Sequence, residues 1–291
     1  MRHLQIGIFL LLLSLSSYGA SRLDTIHIPT RSAKNDRPIV VYLPDGYPDG
    51  SIGTTELTVA DTTRYPVLFL LHGINGDEYS WIRNGNIQTI MDSLIGHHII
   101  RPCVVVMPNT NSGKYIWGKR YKGEKRKDRD RKVKGTMLNL LGYFKNRRGN
   151  FISYFDEIED AVYAAYQLSD SPQDRAIAGL SNGSMQAATI AKMHPGQYAW
   201  VGLFSPVIFD QQLPDNGEDW CSTDELPHGT RFFVSVGKAD IFRSYGVTFC
   251  QKLQKEHIPY VLINGNGGHD WKVWRKDFTT FIPYVFPYSN P

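Results

Sequence analysis

The chain has 291 residues, 42% of them hydrophobic and 21% charged, which suits one large domain with a sizeable core and excludes a disordered chain or a membrane bundle. The formal net charge of +4 has a local origin: residues 114–134 hold 11 basic and 3 acidic side chains, and the remainder is net acidic. Nucleic-acid binding by this segment is the weaker reading, because the remainder of the chain is acidic and the N-terminus reads as an export signal.

The first elements belong to export rather than to the fold. Arg2 and His3 precede an apolar run from Ile6 to Leu15, too short to span a bilayer and of signal-peptide length. Ser17 and Gly19 place small residues for cleavage after Gly19, with cleavage after Ala20 as the alternative. We expect residues 1–20 to be a signal peptide and 21–291 the domain. The mature protein is then secreted or periplasmic, without stable membrane insertion; an uncleaved N-terminal anchor is the alternative.

Along the mature chain, Asp24–Pro29 and Pro38–Leu43 read as short strands, followed by a loop rich in Gly, Pro, Asp and Thr from 44 to 65. Pro66–Leu71 and Cys103–Met107 are continuous apolar runs, the mark of strands buried on both faces of a parallel sheet. Arg175–Gly179, Ala199–Phe204, Arg231–Val236 and Tyr260–Asn264 complete about eight strands. Helices are expected over Ile87–Leu94, Ile158–Leu168, Met185–Met193 and Phe242–His257. Strands alternating with helices give an α/β class, a mostly parallel sheet flanked by helices. Cys103 reads as a core residue, whereas Cys221 and Cys250 are free to pair after export.

The chemistry begins at Gly179-Leu180-Ser181-Asn182-Gly183, a G-x-S-x-G pattern between an apolar strand and a helix. Two glycines allow the tight turn that lifts a serine hydroxyl above the sheet edge, and the Asn182 N–H at the helix start is placed to stabilise an oxyanion. A serine needs a base, and the base needs an orienting acid. Asp240 and His269 follow the last two strands, in the chain order serine, acid, histidine. Of nine histidines, His269 alone follows the last strand, and glycines 265, 267 and 268 let its loop return over Ser181. Asp270, Asp224 and Glu225 are the rival acids. After the earlier strand, His72-Gly73-Ile74 offers a second oxyanion donor at the Ile74 N–H, with Gly73 allowing close approach of substrate.

These stretches resemble the esterase D and feruloyl esterase family of α/β-hydrolases. The likeness is carried by Tyr65–Gly73, Asp77–Trp81, Asn84–Leu94, Ile177–Ser181, His194-Pro195 and Gly267–Arg275, and it runs from about residue 38 to 285. The resemblance implies the α/β-hydrolase fold and ester hydrolysis through an acyl-enzyme. Ser181, Asp240 and His269 would be the triad, with oxyanion donors at Ile74 and Asn182. It also implies feruloyl or acetyl esters on polysaccharide as substrates. Asn182 and Ser184 depart from the usual methionine and glycine of the family, and the insertion 114–148 is unusual.

The basic insertion follows the strand ending at Met107, and two readings of it stand: a cationic rim attracting an acidic ester substrate, or a solvated loop. Tyr115, Trp117 and Tyr121 within it, and Trp81, Trp220, Trp271 and Trp274 outside it, are candidates for stacking on substrate, with core packing the alternative for these last four. No metal-ligand spacing or phosphate-binding glycine loop occurs, so neither metal nor cofactor is expected. Two other functions fit the same residues, acyl transfer to an alcohol and a non-catalytic carbohydrate-binding role.

Overall fold

The computed structural model describes residues 20–28, 37–48, 63–110, 151–207 and 229–288. Among these residues eight strands form one sheet in the order β1-β2-β4-β3-β5-β6-β7-β8. They are β1 (Arg22–Ile28), β2 (Arg37–Leu43), β3 (Val67–Leu71), β4 (Val104–Pro108), β5 (Arg175–Leu180), β6 (Trp200–Phe204), β7 (Arg231–Gly237) and β8 (Tyr260–Gly265). β2 is antiparallel to both β1 and β4, and all pairs from β4 to β8 are parallel. The expected mostly parallel sheet of eight strands is therefore present.

Side-chain alternation explains why these runs are strands. Phe69, Ile177 and Val234 point into one apolar layer, and Leu68, Leu70, Ala176, Ala178 and Phe233 into the other. Every residue of β3, β4 and β6 is buried, as helices on both faces require. One face is covered by α3 (Phe155–Ala165), α4 (Asn182–Met193) and α5 (Arg243–Lys255), which supply Phe155, Ile158, Ile190, Phe249 and Leu253 to its core. The other is covered by α2 (Ile87–Gly96) and α6 (Trp271–Val285), through Met91, Phe278, Phe281 and Ile282. A short helix, α1 (Ser80–Arg83), precedes α2.

One expected helix has different bounds, one extends further back, and one helix was not foreseen. The helix expected at Ile158–Leu168 starts at Phe155 and ends at Ala165. Its C-terminal residues are taken by a parallel bridge in which Tyr65 N–H donates to Gln167 O at 2.9 Å and Ser169 N–H donates to Tyr65 O at 2.9 Å. The helix over Met185–Met193 extends back to Asn182, directly after Ser181, where the turn at the serine places the helix start. The helix α6 was not anticipated. Asp270 caps it, accepting from the Lys272 and Val273 N–H groups, and its apolar stripe falls at Trp274, Phe278, Phe281 and Val285.

Candidate active site

Ser181 sits in the turn between β5 and α4 with φ 51° and ψ −119°, a conformation rare for a residue with a side chain. Such strain costs on the order of 1–3 kcal/mol and is held by its surroundings. The Ser181 N–H donates to Phe204 O at 2.9 Å. The flanking glycines are sterically obligatory. A Cβ on Gly179 would lie 2.3 Å from the Gly183 carbonyl, and one on Gly183 would lie 2.5 Å from His72 O.

The structure brings Ser181, Asp240 and His269 together from the C-terminal ends of β5, β7 and β8. His269 Nε2 lies 2.9 Å from Ser181 Oγ, and its Nδ1 lies 3.2 Å from both carboxylate oxygens of Asp240. Two backbone bonds continue the β7–β8 pairing beyond the strands: Lys238 N–H to Gly265 O at 2.8 Å, and Ala239 N–H to Gly267 O at 2.9 Å. This close approach requires Gly267, at φ 118°, and Gly237, where a Cβ would lie 2.3 Å from Gly267 O. The rival Asp270 is spent on capping α6. Asp224 and Glu225 lie outside the described residues.

Asp240 has a fully buried side chain. Burial pushes its carboxyl up, but hydrogen bonds from His269, the Ser205 hydroxyl and the Phe242 N–H outweigh this and hold it below the ordinary carboxylate value. Sequence reasoning missed Ser205. Its Oγ accepts from Trp274 Nε1 at 2.8 Å, and indole nitrogen is only a donor, so the Ser205 proton is left for Asp240. Phe242 and Trp274 pack edge-on against the His269 ring, with centroids 5.0 and 4.9 Å away.

A second buried carboxyl, Asp277 of α6, lies behind this group and was also missed. Its Oδ2 is buried without a hydrogen-bond partner among the described residues. Burial pushes its pKa up to about 6, the charge of Asp240 adds to the rise, and Ser235 and Lys276 work against it. The native state therefore keeps this proton to about pH 6, whereas an unfolded Asp releases it near the ordinary carboxylate value of about 3.9. Between those values the native state binds more protons, so stability falls as pH rises through the window and stays lowered above it. Asp277→Asn is expected to stabilise the fold at pH 8 relative to its effect at pH 4 by about 2–3 kcal/mol. Denaturant unfolding of both proteins at the two pH values measures this, and a pH-independent difference would refute it.

The serine and histidine open onto a cavity of about 550 Å³ lined by Gly73, Ile74, Asn182, Ile241, Trp271 and Trp274 among others, a size suited to a small ligand. Among the described residues no hydrogen bond is formed by the Ile74 or Asn182 N–H. Trp271 borders the cavity and packs edge-on against Trp81 and Trp274, at 5.2 and 5.3 Å. Trp81 is a core residue whose Nε1 donates to Leu71 O. Cys103 and Cys250 are buried and form no disulfide among the described residues. The N-terminal segment 1–19, the basic stretch 114–134 with Tyr115, Trp117 and Tyr121, and residues Trp220 and Cys221 lie outside the described residues.

A family model described as "Putative esterase" matches residues 30–284. A curated protein of Xylanibacter ruminicola, named endo-1,4-beta-xylanase/feruloyl esterase, is 26% identical over 245 residues, which is 81% of this chain and 27% of the relative. The chain thus spans about a quarter of that relative's length. A solved ferulic acid esterase matches 92% of this chain and 99% of its own, with 20% identity and a TM-score of 0.69. A ferulic acid esterase of Anaeromyces mucronatus, solved with ferulic acid, matches 94% of each chain with 17% identity and a TM-score of 0.68. The shared architecture is the α/β-hydrolase fold.

Proposed function

The chain belongs to the Esterase family, whose members are carboxylic ester hydrolases, and from that premise we propose that it is an exported serine esterase acting through Ser181, His269 and Asp240. The observation that carries this reading is the continuous contact from Asp240 through His269 to Ser181 at the mouth of a cavity.

His269 Nε2 takes the Ser181 proton as Oγ attacks the ester carbonyl. Asp240 holds the ring with its proton on Nδ1 and stabilises the imidazolium that forms. The developing oxyanion rests on the N–H groups of Ile74 and Asn182, the latter at the N-terminus of α4, where the helix dipole favours negative charge. His269 returns its proton to the leaving alcohol, and a water activated by the same nitrogen then releases the acid. Trp271 and Gly73 border the space for the substrate. The substrate class we favour is a feruloyl or acetyl ester on a polysaccharide, the first being the activity in the relatives' names. The basic segment 114–134 suits an acidic glycan. The apolar run from Ile6 to Leu15 supports export.

The test is turnover of aryl acetate and methyl ferulate by residues 21–291, with the acyl-enzyme sought by mass spectrometry. Hydrolysis of both, with the acyl group on the peptide containing Ser181, is the expected result. Folded protein that cleaves neither ester would sink this reading.

A further inference from the structure

His72 follows β3 and is 1% exposed, yet it does not line the cavity and takes no part in the proton transfers above. Its hydrogen bonds fix its tautomer. The Thr110 backbone N–H, which can only donate, lies 2.9 Å from Nε2, so Nε2 is the acceptor and the ring proton sits on Nδ1. Nδ1 then donates to the Gly73 carbonyl at 2.7 Å. A second donor, the Gly76 N–H, reaches the same carbonyl at 3.1 Å. Burial pushes the ring's pKa down to about 4, which keeps this neutral form through the physiological range.

The Gly73–Ile74 peptide is trans, so its carbonyl and N–H point in opposite directions. Both residues border the cavity. A flip of this peptide, which glycine makes conformationally cheap, would turn carbonyl lone pairs toward the place where negative charge develops. We propose that His72 is a positioning residue that locks the Gly73–Ile74 peptide with the Ile74 N–H, rather than the Gly73 carbonyl, facing the reacting ester. The proposal rests on the serine-esterase reading. The lock is itself anchored. Thr110 is buried, and its carbonyl accepts from Gln186 Nε2 of α4 at 3.3 Å. The ring therefore ties the loop after β3 to the loop after β4 and, through it, to the helix that follows the nucleophile.

Two variants separate this role from simple packing. In His72→Asn the carboxamide reaches the Nδ1 position and still donates to Gly73. In His72→Gln it reaches the Nε2 position, accepts from Thr110 and leaves Gly73 without its side-chain donor. The Gln variant is expected to lose about 10²-fold in kcat with KM changed less than about threefold, while the Asn variant keeps kcat within about tenfold of the parent. Equal losses in both variants, or a Gln variant with parental kcat, would overturn the proposal. A 15N–1H correlation spectrum of the parent's histidine rings at pH 7, with His72 identified by its loss in the Asn variant, supplies a readout independent of turnover. A proton on Nδ1 of His72 is expected, and a proton on Nε2 overturns the lock. A parent that hydrolyses no ester would count against the function alone, since the spectrum still decides the lock.

Discussion

Ser181→Ala is expected to lower kcat by about 10³-fold or more, with KM little changed. The variant keeps the Cβ, so the strained turn at φ 51° and the Gly179–Gly183 contact persist, and thermal stability should match the parent. What disappears is the oxygen 2.9 Å from His269 Nε2. No other hydroxyl is held there among the described residues. Remaining turnover would come from water activated by His269 beside the oxyanion donors, the residual catalysis that persists when a triad member is removed. Steady-state kinetics on aryl acetate, with loss of the acyl-enzyme mass, checks this. A variant retaining more than about a tenth of parental kcat would point to another nucleophile.

The second large effect belongs to Asp240→Asn, for which kcat should fall by about 10⁴-fold, the scale seen when a triad acid is neutralised with its geometry intact. The Phe242 N–H donates to Asp240 Oδ1 at 2.8 Å, and the carboxylate also receives the Ser205 proton and the His269 Nδ1 proton. Asparagine has one acceptor oxygen. If that oxygen keeps Phe242, the amide NH₂ faces His269 Nδ1, and the ring must carry its proton on Nε2. That nitrogen then cannot accept from Ser181. The kcat and KM values of the variant, with its circular dichroism as a check on folding, decide the matter. A loss below about tenfold would remove Asp240 from the mechanism.

The strands were legible because burial on both faces leaves unbroken apolar runs, and Pro66–Leu71 and Cys103–Met107 have no other use. The serine, acid and histidine were legible because each follows a strand C-terminus in chain order, and the structure gathers them there. The helix α6 escaped because Pro283, Thr279 and Thr280 weaken its local preference, although Asp270 as a cap followed by apolar residues three or four apart was a usable signal. The end of α3 escaped because a tertiary contact decides it: Tyr65 pairs with Leu168, 103 residues away, and draws it into extended form. Ser205, Asp277 and His72 share that cause. Their partners are Trp274, Asp240 and Thr110, and no local pattern announces such distant meetings.

The two backbone bonds that carry the β7–β8 pairing past the end of β7 give the site a division of labour. Because Asp240 and His269 are aligned by main-chain atoms of Lys238, Ala239, Gly265 and Gly267, the side chains of Lys238 and Ala239 are released from that duty. Ile241, between Asp240 and its anchoring Phe242 N–H, is 74% exposed at the cavity rim. Under the proposed function, selection or laboratory evolution can therefore vary the rim at this position while Asp240 and His269 stay in register, so that substrate range diversifies on a constant chassis.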